Sequence, residues 1–134
     1  MKRFIIFVIA IMAGLLITSC SGTTDNGLLQ GRINIGPLSP VEHLGETTPI
    51  PCDVYNARKI MIYDRSGTNL LKQVDIKCNT SGNYGEYSVE LKPGIYTVDI
   101  NRIGMDSSSD VPKQVEIKPD VTVSLDIDID TGIR

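Results

Sequence analysis

The sequence predicts an all-β protein, a seven-stranded antiparallel β-sandwich that follows an N-terminal signal peptide. Apolar residues recur with a period of two from residue 28 to residue 130, which is typical of half-buried strands. Groups of Gly, Pro, Asn, Asp and Ser separate these runs and supply turns. After residue 20, no segment keeps the three-and-four apolar spacing of a helix over three turns, so we expect little helix.

Composition narrows the function classes. The chain has 134 residues, a formal charge of −3, one His, no Trp and three Cys. This length allows one main domain. Basic residues do not outnumber acidic ones, so the composition gives no indication of nucleic-acid binding. A single His (His43) leaves few arrangements for a metal centre or for acid/base catalysis, so the sequence predicts neither an enzyme nor a cofactor.

Residues 1–19 have the composition of a signal peptide. Lys2 and Arg3 precede an uncharged apolar run, Phe4–Ile17, of fourteen residues. A membrane-spanning helix needs about 20 such residues, so this run is too short to be a typical anchor. An uncleaved single-pass anchor nevertheless stays open as an alternative.

The residues around Cys20, in the order Ile-Thr-Ser-Cys, resemble the lipobox of bacterial lipoproteins. The resemblance implies cleavage before Cys20 and lipidation of Cys20, which would place the protein in the cell envelope, lipid-anchored and extracytoplasmic. Ser21 rather than Asp follows the cysteine, which by the same resemblance favours the outer membrane if the host has one. An ordinary signal peptide with a coincidental Cys is the alternative.

Cleavage would leave a lipidated Cys and a flexible tether at residues 20–27, followed by a domain at 28–134. The tether sequence is small and polar, which is typical of flexible linkers. Loss of Lys2 and Arg3 leaves 11 basic against 16 acidic residues, a formal charge of −5. Because an acidic domain is repelled by anionic surfaces, we expect only the lipid to touch the membrane.

Seven alternating runs are expected to supply the strands. In chain order their apolar residues are Leu29, Ile33 and Ile35; Ile60 and Ile62; Leu70, Val74, Ile76 and Cys78; Tyr87, Val89 and Leu91; Tyr96, Val98 and Ile100; Val115 and Ile117; and Val121, Val123, Leu125, Ile127 and Ile129. Between the first two runs, residues 36–53 contain four Pro, which predicts a loop rather than a strand. Gly36–Glu42 in this loop is a candidate docking surface; a simple covering loop is the alternative.

Cys52 and Cys78 remain as an even pair in an exported domain, where thiols tend to form disulfides. A hairpin of residues 57–64 and 70–78 would bring Cys78 opposite roughly residues 54–58, close to Cys52. We therefore expect a Cys52–Cys78 disulfide. Two separate thiols are the alternative.

The segment GNYGEYSVELKPGIYTVDI resembles carboxypeptidase regulatory-like domains, which are transthyretin-like (prealbumin-like) β-sandwiches. The matching positions are Gly82, Tyr87, Val89, Leu91, Pro93, Gly94, Tyr96 and Val98. The resemblance covers about residues 28–130 and implies a mostly non-catalytic module for docking, folding or adhesion. Pro93 and Gly94 supply the φ values of a tight turn, and Leu91 and Tyr96 are expected to leave that turn toward one core.

Taken together, these patterns predict an anchored, non-catalytic module that docks a protein partner in the cell envelope. A carbohydrate- or calcium-binding accessory module is the alternative. The carbohydrate alternative uses Tyr55, Tyr63 and Tyr84 as an exposed aromatic surface. The calcium alternative uses two acidic patterns, Asp126, Asp128 and Asp130, and Asp106, Ser108 and Asp110. A solvated strand face and a flexible turn, respectively, are the simpler interpretations of those two patterns.

Overall fold

The computed structural model describes residues 25–40, 49–81 and 83–134. The expected signal peptide, Cys20, His43, Gly82 and the Val41–Glu42 part of the expected docking loop lie outside these residues. Within them the fold is all-β, as predicted, with two sheets, nine strands and one short helix. The elements are β1 (Gly27–Gly36), α1 (Cys52–Asn56), β2 (Lys59–Tyr63), β3 (Leu70–Asp75), β4 (Lys77–Asn79), β5 (Tyr84–Leu91), β6 (Gly94–Ile100), β7 (Lys113–Ile117), β8 (Thr122–Ser124) and β9 (Ile127–Asp130).

The strands form two sheets that share one apolar core. Sheet A has the order β4-β5-β1, and the last neighbour of β1 is β8 along its first half and β9 along its second half. Sheet B has the order β3-β2-β6-β7. The prediction of purely antiparallel pairing is wrong at one place, because β1 runs parallel to both β8 and β9.

Two of the seven predicted runs each divide into two strands, which gives nine. The run from Leu70 to Cys78 changes sheets at Ile76, so that β3 pairs in sheet B and β4 pairs in sheet A. Ile76 at the crossing is buried. The alternation of apolar residues continues through the crossing. This is because β3 and β4 face the same core from the two sheets, so every second residue stays on the core side.

The last predicted run divides at Leu125 and Asp126, beside the middle of β1. The register of β1 is the same against β8 and β9, so no residue is inserted or lost. At the break, the Leu125 carbonyl accepts a hydrogen bond from the buried Tyr87 hydroxyl at 2.7 Å. The Asp126 carboxylate accepts the backbone N–H of Arg32 at 2.8 Å. Side chains thus complete the hydrogen bonding where the ladder stops.

The core consists mainly of the inward residues that the alternation predicts. Eighteen apolar residues are buried among those described, and they come from both sheets. Leu70 and Val121 are exceptions, being 43% and 44% exposed at or just before the start of a strand. Tyr55, expected on an exposed aromatic surface, is instead fully buried in α1, because the helix turns it into the core.

The sandwich has two distinct ends. The tether end contains the start of β1 at Gly27, together with the turns that follow β5 and β7. The loop end contains the end of β1 at Gly36, α1, residues 101–110 and residues 131–134. Because β1 has ten residues, the two ends lie about 30 Å apart.

Candidate functional sites: the loop end and a polar groove

A disulfide fastens α1 to sheet A at the loop end. Cys52 begins α1, Cys78 lies in β4, and their Cα atoms are 5.3 Å apart. Asn83 adds two hydrogen bonds nearby: its side chain accepts the N–H of Ile50 at 2.6 Å, and its carbonyl accepts the Tyr55 hydroxyl at 3.1 Å. Burial raises the pKa of Tyr55, so this hydroxyl stays a donor. The predicted cysteine pair is therefore joined in the structure.

A buried ion pair fixes the loop between β6 and β7. Arg58 and Asp106 are 8% and 6% exposed, and the guanidinium binds both carboxylate oxygens at 2.8 and 2.9 Å. Arg58 also donates to the Val54 carbonyl, and Asp106 accepts the N–H of Ile103. A guanidinium that binds both oxygens of a carboxylate fixes the orientation of both side chains. The sequence placed Asp106 in a flexible turn or in a calcium loop; in the structure Asp106 closes a turn by donating its N–H to the Ile103 carbonyl at 3.1 Å, and its carboxylate binds Arg58.

Asp130, the last residue of β9, joins three segments of the loop end. It pairs with Gly36 on β1 and forms an isolated bridge with Ser107. Its carboxylate accepts hydrogen bonds from Arg134 at 2.8 Å and from the N–H of Gly132 at 2.8 Å. These two donors, Arg134 first, lower the pKa of Asp130 to about 2. The loop end is thus a connected surface.

Three exposed apolar side chains lie on this connected surface. Leu38 is 38% exposed, Ile103 41% and Met105 70%. Leu38 follows Pro37, whose carbonyl accepts the Thr131 hydroxyl. Met105 packs near Gly132, because a Cβ there would lie 2.9 Å from the Cβ of Met105. We call Leu38, Ile103 and Met105 the loop-end patch; it extends the predicted docking segment onto the loop between β6 and β7, which the sequence singled out only for the calcium alternative.

A groove of about 580 Å³ crosses the outer face of sheet A. One row of charged residues alternates in sign across the strands, from Lys77 on β4 to Glu86 on β5, Arg32 on β1 and Asp126 beside it. Such cross-strand neighbours of opposite charge are favourable. Among the described residues, however, none of these four side chains forms an ion pair with another.

The stacking of Arg32 explains why its guanidinium stays apart from the carboxylates. The guanidinium lies over the Tyr84 ring, 4.6 Å from the ring centroid, in a cation–π contact. Asp126 meanwhile accepts the backbone N–H of Arg32 rather than its side chain. This contact holds the Arg32 guanidinium beside the groove, whose lining includes Arg32.

A second row gives the groove its depth. Ser88, Gln30 and Ser124 lie opposite one another on β5, β1 and β8. The two serines are short, so the surface is lower there than at the charged row. In the part of the chain that the structure describes, these three side chains make no hydrogen bond to protein.

The Leu91–Tyr96 segment forms the predicted turn, which joins the two sheets. Gly94 has φ of 156°, which side-chain-bearing residues rarely adopt. Leu91 is buried in sheet A, whereas Tyr96 is half-buried in sheet B and donates its hydroxyl to the Lys92 carbonyl at 2.8 Å. Pro93 and Gly94 therefore form the turn at which the chain passes from sheet A to sheet B. This corner is structural in character and lies at the tether end.

The two acidic patterns considered for calcium do not converge. Asp126 binds the Arg32 N–H, Asp128 accepts the side-chain amide of Asn34 at 2.7 Å, and Asp130 binds Arg134. Within residues 25–40, 49–81 and 83–134, no group of three or more His, Cys, Asp or Glu is arranged to hold a metal ion. Protein hydrogen bonds instead use these carboxylates.

Sequence reasoning missed Arg58, Arg32 and the groove. A single Arg at a strand start or at an outward strand position is ordinary on a solvated sheet face. Nothing in the sequence therefore marked Arg58 or Arg32. The signal available for the groove was one outward charge on each of three strands, at Lys77, Glu86 and Arg32. That their signs alternate becomes visible only when the register of the strands is known.

No protein-family model matches this sequence, and no curated protein matches it as a relative. Over the ranges that the structure describes, no helix has the length and apolar character that crossing a bilayer requires.

Proposed function

We propose that this chain is a lipid-anchored, extracytoplasmic module of the cell envelope that docks a protein partner through its loop end and performs no catalysis. The observation that carries the proposal is the placement of the loop-end patch. The described part of the tether enters β1 at Gly27, and the patch lies at the opposite end of β1.

This placement suits an N-terminal anchor. Lipid chains on Cys20 would hold the tether end near the bilayer, since several acyl chains give stable attachment. The body of the sandwich would then project the loop-end patch about 30 Å outward. Exposed Leu, Ile and Met side chains beside polar groups are typical of protein contact surfaces.

The loop end is also held rigidly, which favours binding. The Cys52–Cys78 disulfide, the Arg58–Asp106 ion pair and the Asp130 hydrogen bonds connect its segments. A surface that is already ordered loses less conformational freedom when a partner binds.

We further propose that the chain is a carboxypeptidase regulatory-like, transthyretin-like domain. The two-sheet arrangement and the positive φ of Gly94 in the Leu-x-Pro-Gly-x-Tyr turn support this proposal. Docking is the function that this resemblance implies.

The anchor is tested by the Cys20→Ser variant. The unchanged protein is expected in the membrane fraction, and the variant is expected in the soluble fraction. Metabolic labelling with a fatty acid should mark the unchanged protein alone. A variant that stays membrane-bound would contradict lipidation at Cys20.

The docking surface is tested by photo-crosslinking in living cells. A photoreactive amino acid at Met105 is expected to crosslink one envelope protein, and a matched probe at Leu71, an exposed apolar position on β3, is not. Ile103→Glu should abolish the Met105 crosslink. Equal crosslinking from both positions would refute docking through the loop end.

A further inference from the structure

We propose that the groove on the outer face of sheet A binds a neutral, hydroxyl-rich saccharide. This site is separate from the loop-end patch and does not depend on the proposed docking function. The groove has a volume of about 580 Å³, and its lining is built from two adjoining cross-strand rows.

The lining offers donors and acceptors side by side. Arg32 and Lys77 donate hydrogen bonds, Glu86 accepts them, and Gln30 does both. Because these side chains have no hydrogen-bond partner within the described protein, their groups are open to a ligand. A sugar hydroxyl both donates and accepts, so a ring with several hydroxyls matches such an alternating surface.

The charge balance argues against an anion. Two basic residues, Arg32 and Lys77, share the groove with three acidic residues, Asp75, Glu86 and Asp126. A phosphate or sulfate approaching Arg32 would meet carboxylates on either side of it. A neutral ligand instead gains charge-assisted hydrogen bonds without repulsion.

The backbone argues against a peptide. β1, which forms the middle of the groove floor, is paired on both sides, so it has no free strand edge to which a peptide could add. The short Ser88 and Ser124 also leave no deep apolar pocket for a peptide side chain. Peptide recognition by strand addition requires an open edge and pockets for alternate side chains.

Tyr84 lies beside the groove lining and supports Arg32 through a cation–π contact. The guanidinium carbon lies 4.6 Å from the centroid of the tyrosine ring, and the planar guanidinium can donate hydrogen bonds to neighbouring hydroxyls. The stack also reduces the freedom that Arg32 would lose on binding. Arg32 is therefore expected to contribute most to affinity.

The test is saturation-transfer NMR and calorimetry on the full protein, purified in a detergent without a sugar headgroup. The probes are neutral oligosaccharides of glucose, mannose, galactose and N-acetylglucosamine. At least one is expected to bind. Arg32→Gln and Glu86→Gln should each weaken that binding by about tenfold, because each removes a charged partner of a hydroxyl. The matched control Glu116→Gln, on the outer face of sheet B, should leave binding unchanged.

Thermal unfolding of each variant shows whether it is folded, and Ser124→Leu provides a second variant that fills the groove without removing a charge. The Ser124→Leu variant should no longer bind the saccharide. The proposal is wrong if no saccharide of the panel binds, or if the groove variants bind as well as the control. It is also wrong if inorganic sulfate or a triserine peptide binds at the groove and no saccharide does.

Discussion

The ring of Tyr87 on β5 lies over Gly31 on β1, in the space that a side chain at residue 31 would occupy. A Cβ on Gly31 would be 3.0 Å from Cε1 of Tyr87 and 1.9 Å from the Leu125 carbonyl oxygen. The Tyr87 hydroxyl reaches that same carbonyl. Burial, and then the negative charge of Asp126, raise the pKa of Tyr87, so the hydroxyl keeps its proton for this bond.

Gly31→Ala is therefore expected to destabilise the fold strongly. The new methyl group has backbone rather than a movable side chain against it, so β1 or the Leu125 segment must shift, at a cost of about 3 kcal/mol. Gly36→Ala is the matched control, because no atom lies within 4 Å of a Cβ there. Urea unfolding of both variants checks this; equal midpoints would contradict the close approach.

Loss of the buried ion pair should cost more than loss of an exposed one. Arg58→Met leaves Asp106 buried with its charge unpaired, and we expect a loss of about 3–5 kcal/mol in the free energy of unfolding. Asp99→Asn, which breaks the more exposed pair with Arg102, should cost less than about 1 kcal/mol.

A double variant separates the ion pair from general packing. Arg58→Met combined with Asp106→Leu should recover most of the loss, since no unpaired charge remains. Chemical denaturation of the singles and the double provides the measurement. A double variant no more stable than Arg58→Met would show that packing, not the unpaired charge, dominates.

Reduction of the disulfide should destabilise the domain. Cys52 and Cys78 are 26 residues apart, and closing a loop of that length is worth about 3 kcal/mol in the chain-entropy description. Mass spectrometry under non-reducing conditions should find two hydrogens missing. Adding a reductant should lower the unfolding midpoint of the unchanged protein but not that of the Cys52→Ser/Cys78→Ser variant. Free thiols at both positions in purified protein would refute the bond.

The turn between β2 and β3 should become less stabilising in acid. Hydrogen bonds from the side chains of Ser66 and then Asn69 lower the pKa of Asp64 from 3.8 to about 2. Because the folded pKa lies below the unfolded one, this stabilisation is present above pH 3.8 and is lost as the pH falls through about 2.

NMR titration of the Asp64 carboxyl checks this directly. Asp64→Asn should lower the unfolding midpoint near neutral pH, and its difference from the unchanged protein should shrink toward pH 2. Ser66→Ala should raise the pKa of Asp64, whereas Ser81→Ala, in another turn, should not. An Asp64 pKa at its ordinary value would contradict the turn geometry.

The sequence predicts most inward residues correctly, because alternation records which side of a strand is buried. It identifies the strand interiors around Ile33, Ile62, Val89 and Val98, and it pairs Cys52 with Cys78. It fails at Tyr55, because the five-residue helix α1 has too few residues to show a helical period.

The amino-acid sequence by itself determined the all-β character, the inward residues of the strands and the turn at Pro93 and Gly94, since each depends on neighbours along the chain. Only the tertiary structure decided where the strands break, at Ile76 and at Leu125, and which strands run parallel. It also created the Arg58–Asp106 pair and the groove around Arg32. These features depend on residues far apart in sequence meeting at one register, and local periodicity carries no information about that meeting.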